Sequence, residues 1–233
     1  MRTQQENREQ RAQPRRRRRN RTSVDNDLER AEDVELHRPS LAGVDVLLRP
    51  VQDEDVALFQ RFLVEPGLIG LDWNGFRDAQ APVRRYAEDG FLGTDNGRLM
   101  VRTGSETAGF VSWRSGSFDG RTTYWEIGIA LLPEYRGRGI GWRAQALLTA
   151  YLFEHTSVHR IQAATHPENI AEQKALEKAG FRLEGVIRGC EFRDGKLRDG
   201  YLYSRLRDDP APELGNGSVT GSGAAPVEEP LAD

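Results

Sequence analysis

Between Arg136 and Gly141 the chain reads RGRGIG, three glycines and two arginines in six residues. Glycine tolerates tight turns and lets a backbone approach a ligand closely. If a helix starts here, its free N–H groups and the positive end of its dipole make a ready phosphate site. Arg136 and Arg138 add charge-assisted contacts. Two common phosphate patterns do not fit. A dinucleotide fingerprint needs a third glycine where Trp142 stands, and a P-loop needs a lysine that does not follow. The spacing fits a pyrophosphate cradle of the form Arg/Gln-x-x-Gly-x-Gly/Ala, carried by Arg136, Gly139 and Gly141 with Gly137 in the turn. A merely flexible glycine turn is the plainer alternative.

A strand, a turn and a helix must position this cradle. The apolar run 122–132 (TTYWEIGIALL) reads as a central strand. Beyond Pro133 and the glycines, Ile140, Ala144, Leu147, Leu148, Tyr151 and Leu152 recur with helical period, which predicts a helix over about 139–155. Upstream, 44–49 predicts a first strand. Helices are expected to about Leu63 and over 79–88, joined by an apolar loop over 65–76, followed by strands at 97–103 and 107–114. Downstream come a strand at 160–165 and a helix from Asn169 that stops at Gly180, a glycine suited to a helix end. Asp194-Gly195 predicts a hairpin between strands 181–192 and 197–206. This order predicts a single α/β domain with a mixed sheet over about 41–207.

Composition narrows the function classes. The chain has 233 residues, one cysteine, four histidines and a formal net charge of −3. A single cysteine excludes an internal disulfide, and no HExxH spacing supports a zinc hydrolase, so no metal is expected. No apolar run approaches the ~18 residues of a membrane span, and no export signal follows the N-terminal arginines. A cytoplasmic location without membrane contact is expected. Charge is segregated: residues 1–21 carry +7, residues 22–35 and 207–233 carry −5 each, and 36–206 are neutral. Few apolar residues predict disorder for the 1–40 head and for the Pro/Gly/Ser-rich tail over 208–233. The neutral centre argues against a nucleic-acid-binding face on the folded part. The run Arg15 to Arg19 is the one segment with the charge for such a partner, and charge runs are usually solvated.

The stretch EIGIALLPEYRGRGIG, then HPENIAEQKALEKAGFRLEG, then a closing strand pair around Asp194-Gly195, resembles the GCN5-related N-acetyltransferases, and most of all their RimJ/RimL branch. The resemblance covers about 44–206. It implies a mostly antiparallel mixed sheet with a splayed central strand pair, flanking helices, and acetyl-CoA as acyl donor. It implies that Arg136, Gly137, Arg138, Gly139 and Gly141 hold the pyrophosphate. The backbone of Ile129, Ala130 and Leu131 would meet the pantetheine arm, with one N–H there serving the thioester oxygen. Asn169 would contact the coenzyme arm, although Asn169 with Glu172 three residues on also reads as a helix capping box.

Glu172 departs from the pattern, since many relatives carry Ser there, so the proton donor to the leaving thiolate is not supplied by resemblance. Direct transfer to a primary amine needs a base. Glu191, followed by Phe192 as in the RimL-like pattern, is one candidate. Glu126, in the apolar central strand where burial would raise its pKa, is the other. Cys190 is more simply a small semi-buried hydrophobe than an acyl carrier, and His166, a candidate base before Pro167, reads more simply as an incidental loop histidine. Asp72 and Trp73, in the loop at 65–76, are candidate acceptor contacts. The implied acceptor is a protein N-terminal α-amine, with a small-molecule amine such as an antibiotic as the alternative. An acyl-CoA sensor with a nucleic-acid-binding head is the alternative of another class. Monomer and homodimer both stay open.

Overall fold

A computed structural model describes residues 45–212. The expectations for the 1–40 head and for the tail past 212 lie outside the described residues. The strands are β1 (Leu47–Arg49), β2 (Asn96–Thr103), β3 (Glu106–Ser117), β4 (Thr123–Leu131), β5 (Arg160–Thr165), β6 (Arg182–Arg193) and β7 (Lys196–Leu206). The helices are α1 (Val56–Val64), α2 (Pro66–Ile69), α3 (Ala81–Asp89), α4 (Ile140–His155) and α5 (Ile170–Lys178). The strands form one seven-stranded sheet ordered β1-β2-β3-β4-β5-β7-β6. Every pairing is antiparallel except β4 with β5. Parallel neighbours need a crossover connection, and α4 supplies it.

That one parallel pairing is short. β4 and β5 pair only at Trp125↔Ile161 and Glu126↔Gln162. Beyond it β4 follows β3 to Leu131, while β5 follows β7 to Thr165, and a wedge opens between them. Gly109 explains why β4 can leave. It sits opposite Leu131 at φ +153°, and a Cβ there would lie 2.1 Å from the carbonyl oxygen of Ala130. Only glycine lets β3 draw the end of β4 so close. A bulge in β2 between Val101 and Arg102 faces the same stretch of β3.

The expected helical stripe packs as read. Ile140, Ala144, Leu148 and Leu152 of α4 are buried against Leu99, Val101, Val111, Trp113 and Ile127 of the sheet. Each such Ile, Leu or Val side chain contributes roughly 1.5–3 kcal/mol of burial. On the opposite face Phe59 of α1 covers Met100, with Phe91 and Phe110 beside it. Gly180 closes α5 at φ +87°, with Phe181 N–H donating to Leu176 O and Gly180 N–H to Glu177 O, both at 3.0 Å. Those two bonds are the Schellman pattern. Asp194 and Gly195, at φ +53° and +73°, make the tight turn between β6 and β7.

Three features differ from the sequence reading. The loop at 65–76 is partly helical: Pro66 starts α2, and a 3₁₀ turn follows at Gly70–Asp72. β3 extends to Ser117 rather than 114. The ordered fold continues past 207, where Asp209 accepts from Leu206 N–H at 2.8 Å and pairs with Arg182 at 3.2 Å. No helix among the described residues is long and apolar enough to cross a membrane.

Candidate active site

Two cavities meet at the wedge. The first, about 650 Å³, lies over the sheet face that carries Phe110, Ser112, Arg114 and Glu126. The second, about 630 Å³, runs between residues 68–72, the end of β4, the glycine turn and α5. Asp72, Ile129, Ala130, Asn169 and Glu172 line both.

The second cavity carries the glycine turn. Gly137 and Gly139 adopt φ +71° and +76°, where a side chain is strained. No side chain caps the N-terminus of α4, and Gly139, Gly141 and Trp142 line the cavity, so the first N–H groups of the helix lie at its wall. Lys174 and Lys178 line it from α5. Arg136 is engaged elsewhere, donating to Leu131 O at 2.9 Å and to Leu68 O. Arg138 stacks over Tyr135 at 5.7 Å and lines neither cavity. Leu132 N–H donates to Ala108 O at 2.9 Å, and Ala130 O points at Gly109. Backbone alternation then turns Ile129 and Leu131, not Ala130, toward the wedge, where their N–H groups have lost β5 as a partner. These donors and lysines fit a pyrophosphate and an extended amide-bearing arm.

The junction is built on the start of α5. Asn169 caps the helix, its Oδ1 accepting from Glu172 N–H at 3.2 Å. The reciprocal half of the box is missing, because Asn169 N–H donates to His166 O at 3.0 Å. The Glu172 carboxylate is thereby released to the cleft. Desolvation first, and the nearby Asp72 charge second, push its pKa from 4.5 up to about 7. The Gln145 amide opposes this in part.

Around this carboxyl lies a chain of three groups. His166, buried, holds Asp72 through Nε2 and Glu191 through Nδ1, both at 2.8 Å. Arg193, also buried, donates to Leu71 O at 2.5 Å and to Glu168 at 3.0 Å. Arg136, Arg193 and His166 together fasten residues 68–72 over the junction.

Of the residues expected from sequence, Asp72, Glu126, Ile129, Ala130, Leu131, Arg136, Gly137, Gly139, Gly141 and Asn169 line one cavity or both. Glu126 is a paired carboxylate rather than an isolated buried one: Arg114 bonds it, and Gln162 Nε2 donates to it at 3.2 Å. Glu191 lines neither cavity and reaches the site only through His166. Trp73 also lies outside both, packed edge-on to Phe76 at 5.3 Å. Cys190 is exposed, not semi-buried, because β6 is an edge strand. Sequence reasoning set His166 aside as incidental, because its two partners come from distant segments. It met Glu172 only as a departure from a pattern, although a carboxylate at the third position of a helix beside a glycine cradle was the available signal.

Comparison with known proteins agrees with this fold. Residues 45–182 match the family model described as an acetyltransferase (GNAT) domain. An uncharacterized N-acetyltransferase of Bacillus subtilis, YnaD, is 33% identical over 39% of this chain and 52% of its own length. The chain spans about half the length of the curated relatives it matches. Among solved structures, a spermidine N-acetyltransferase of Vibrio cholerae in complex with CoA and spermine superposes with TM-score 0.62, at 18% identity, over 70% of this chain and 96% of that one. RimL, a ribosomal α-N-protein acetyltransferase in complex with coenzyme A, gives 0.59 at 18% identity over 72% and 96%.

Proposed function

The chain belongs to the GNAT acetyltransferase-domain family, and from that premise we propose that it is an acetyl-CoA-dependent N-acetyltransferase. The first cavity receives the amine and the second the coenzyme. When bound, acetyl-CoA supplies an activated acetyl thioester. The uncapped start of α4, the turn at Gly137 and Gly139, and Lys174 and Lys178 hold its pyrophosphate. The N–H groups of Ile129 and Leu131 orient the arm and offer a donor where negative charge develops on the carbonyl oxygen. Arg136 positions Leu131 and the segment over the junction. Asn169 orients Glu172 by capping its helix.

The observation that carries this reading is the place of Glu172, beside Asp72 and Asn169 on the wall shared by both cavities, where burial raises its pKa to about 7. Its ionised oxygen takes up the proton that the amine sheds. Once protonated, it holds an O–H donor at the same junction, the role a Ser fills in many relatives. Glu191 acts as a positioning residue through His166 and Asp72. Glu126 belongs to the floor of the amine cavity.

A protein N-terminal α-amine is the proposed acceptor, with a small-molecule amine as the second class; the structural neighbours named above include an enzyme of each kind. Thiol release from acetyl-CoA, measured with N-terminal peptides, polyamines and amine antibiotics in separate pools, tests the reading. Release that depends on one pool is expected. Protein that binds acetyl-CoA yet releases thiol with none of them overturns it.

A further inference from the structure

On the amine cavity's floor the register places Asn96, Arg114 and Glu126 in one row across β2, β3 and β4, and Arg98, Ser112 and Gly128 in the next. Arg114 and Glu126 neutralise each other. Arg98 is different. Its guanidinium stands over the rings of Phe59, Phe91 and Phe110 at 5.1, 5.1 and 5.5 Å. Among the described residues it has no carboxylate partner and no side-chain hydrogen bond, and it lines the cavity. Burial, with Arg85 and Arg77 nearby, lowers its pKa from the ordinary value, as for a cation without a counter-charge. At the cavity's other end stand Asp72 and Glu172. The cavity is therefore dipolar, acidic at the junction and cationic at the far wall.

We infer that the acceptor carries an anionic group, a carboxylate by preference, which Arg98 binds while the amine lies at Glu172. This rests on the reading of the first cavity as the amine site. Three rings, Phe59 stacked on Phe91 and tilted to Phe110, hold the guanidinium in place and exclude water from one side, so a carboxylate meets a preorganised, partly desolvated partner. Arg98 lies two strands from β4 and two residues along from Ala130, roughly 12 Å between Cα atoms at standard sheet spacings. An extended acceptor N-terminus, at ~3.4 Å per residue, covers most of that separation within two or three residues, where a terminal or acidic side-chain carboxylate meets the arginine. A polyamine presents a second cation to Arg98 and is disfavoured.

The test uses the full chain loaded with coenzyme A. Ala-Ala, Ala-Ala-Ala and Ser-Ala, each as free acid and as C-terminal amide, and spermidine are titrated by calorimetry. Thiol release is followed in parallel with acetyl-CoA. The acids are expected to bind about 10- to 100-fold tighter than their amides, the range for hydrogen bonds to a charged group. Arg98→Gln is expected to remove that difference, and Arg98→Lys to keep part of it. Arg98→Gln must bind the amides as the native protein does, so loss of folding cannot imitate the result. Equal binding of acid and amide, no binding by any acid, preference for spermidine, or a preference that survives Arg98→Gln overturns the inference. Thiol release without acid preference leaves the transferase reading standing and this one fallen; Arg98-dependent preference without release does the reverse.

Discussion

Glu172 concentrates the chemistry in one carboxyl, and its titration makes the first predictions. A base with a pKa near 7 gives a rate that rises with pH through about 7, as the ionised form accumulates. Glu172→Gln is expected to lower kcat by ~10²- to 10⁴-fold and to remove that rising limb, with coenzyme binding retained. The Asp72 charge helps hold the pKa up. Asp72→Asn is therefore expected to move the limb to lower pH, and a pH–rate profile of kcat checks both variants. A limb that stays in place in Asp72→Asn assigns the titration to another group. Gly137, Gly139 and Asn169 were legible because their types are restricted by backbone demands that sequence displays: positive φ and a helix cap. His166 was not, since a histidine flanked by Thr165 and Pro167 carries no local sign that Asp72 and Glu191 will close on it from other elements.

At the level of elements, the site depends on a strand that departs from its neighbour and on a lip fastened across the gap. Gly109→Ala places a methyl 2.1 Å from Ala130 O and forces the end of β4 away from β3. A loss of about 2–4 kcal/mol is expected, seen as a lower urea midpoint, with coenzyme affinity reduced as the wedge changes shape. Arg193→Met removes the hydrogen bond to Leu71 O while keeping much of the buried stem. The expected outcome is a several-fold rise in acceptor KM, a smaller change in kcat, and faster proteolysis within 66–76. Strand and helix order was readable from periodicity and turn residues, down to Gly180 and Asp194-Gly195. The irregularities that aim side chains were not. β6 slips register between Ile187 and Glu191, where Gly189 turns at φ +58° and its N–H donates to Asp199 at 2.8 Å. That slip sets which way Glu191 faces, and it arises from pairing with β7 rather than from any local pattern.

For the whole molecule, two carboxyls pull stability in opposite directions with pH. Glu184 on β6 bonds Arg160 on β5 at 2.7 and 2.5 Å and Ser204 on β7 at 2.6 Å, spanning three strands. The Arg160 bond, chiefly, lowers its pKa to about 2. Its contribution is present above the unfolded value of 4.5 and is lost as pH falls toward 2. The side chain is 39% exposed, so screening reduces that contribution to ~1 kcal/mol or less. Glu172 has the opposite sign. Its folded pKa lies above 4.5, so its contribution is full below 4.5 and is lost as pH rises toward 7, up to about 3 kcal/mol before solvent relaxation in the open cleft. Urea midpoints measured from pH 3 to 8 on the native protein, Glu184→Gln and Glu172→Gln separate the two. Glu184→Gln is expected to flatten the acid side, and Glu172→Gln the side between 4.5 and 7. Equal slopes for native protein and Glu172→Gln across pH 5 to 7 sink the assignment. Stability and function meet at one group: the ionisation that lets Glu172 accept a proton is the one the fold resists. Above pH 7 Glu172→Gln is therefore expected to be the more stable protein and the less active one.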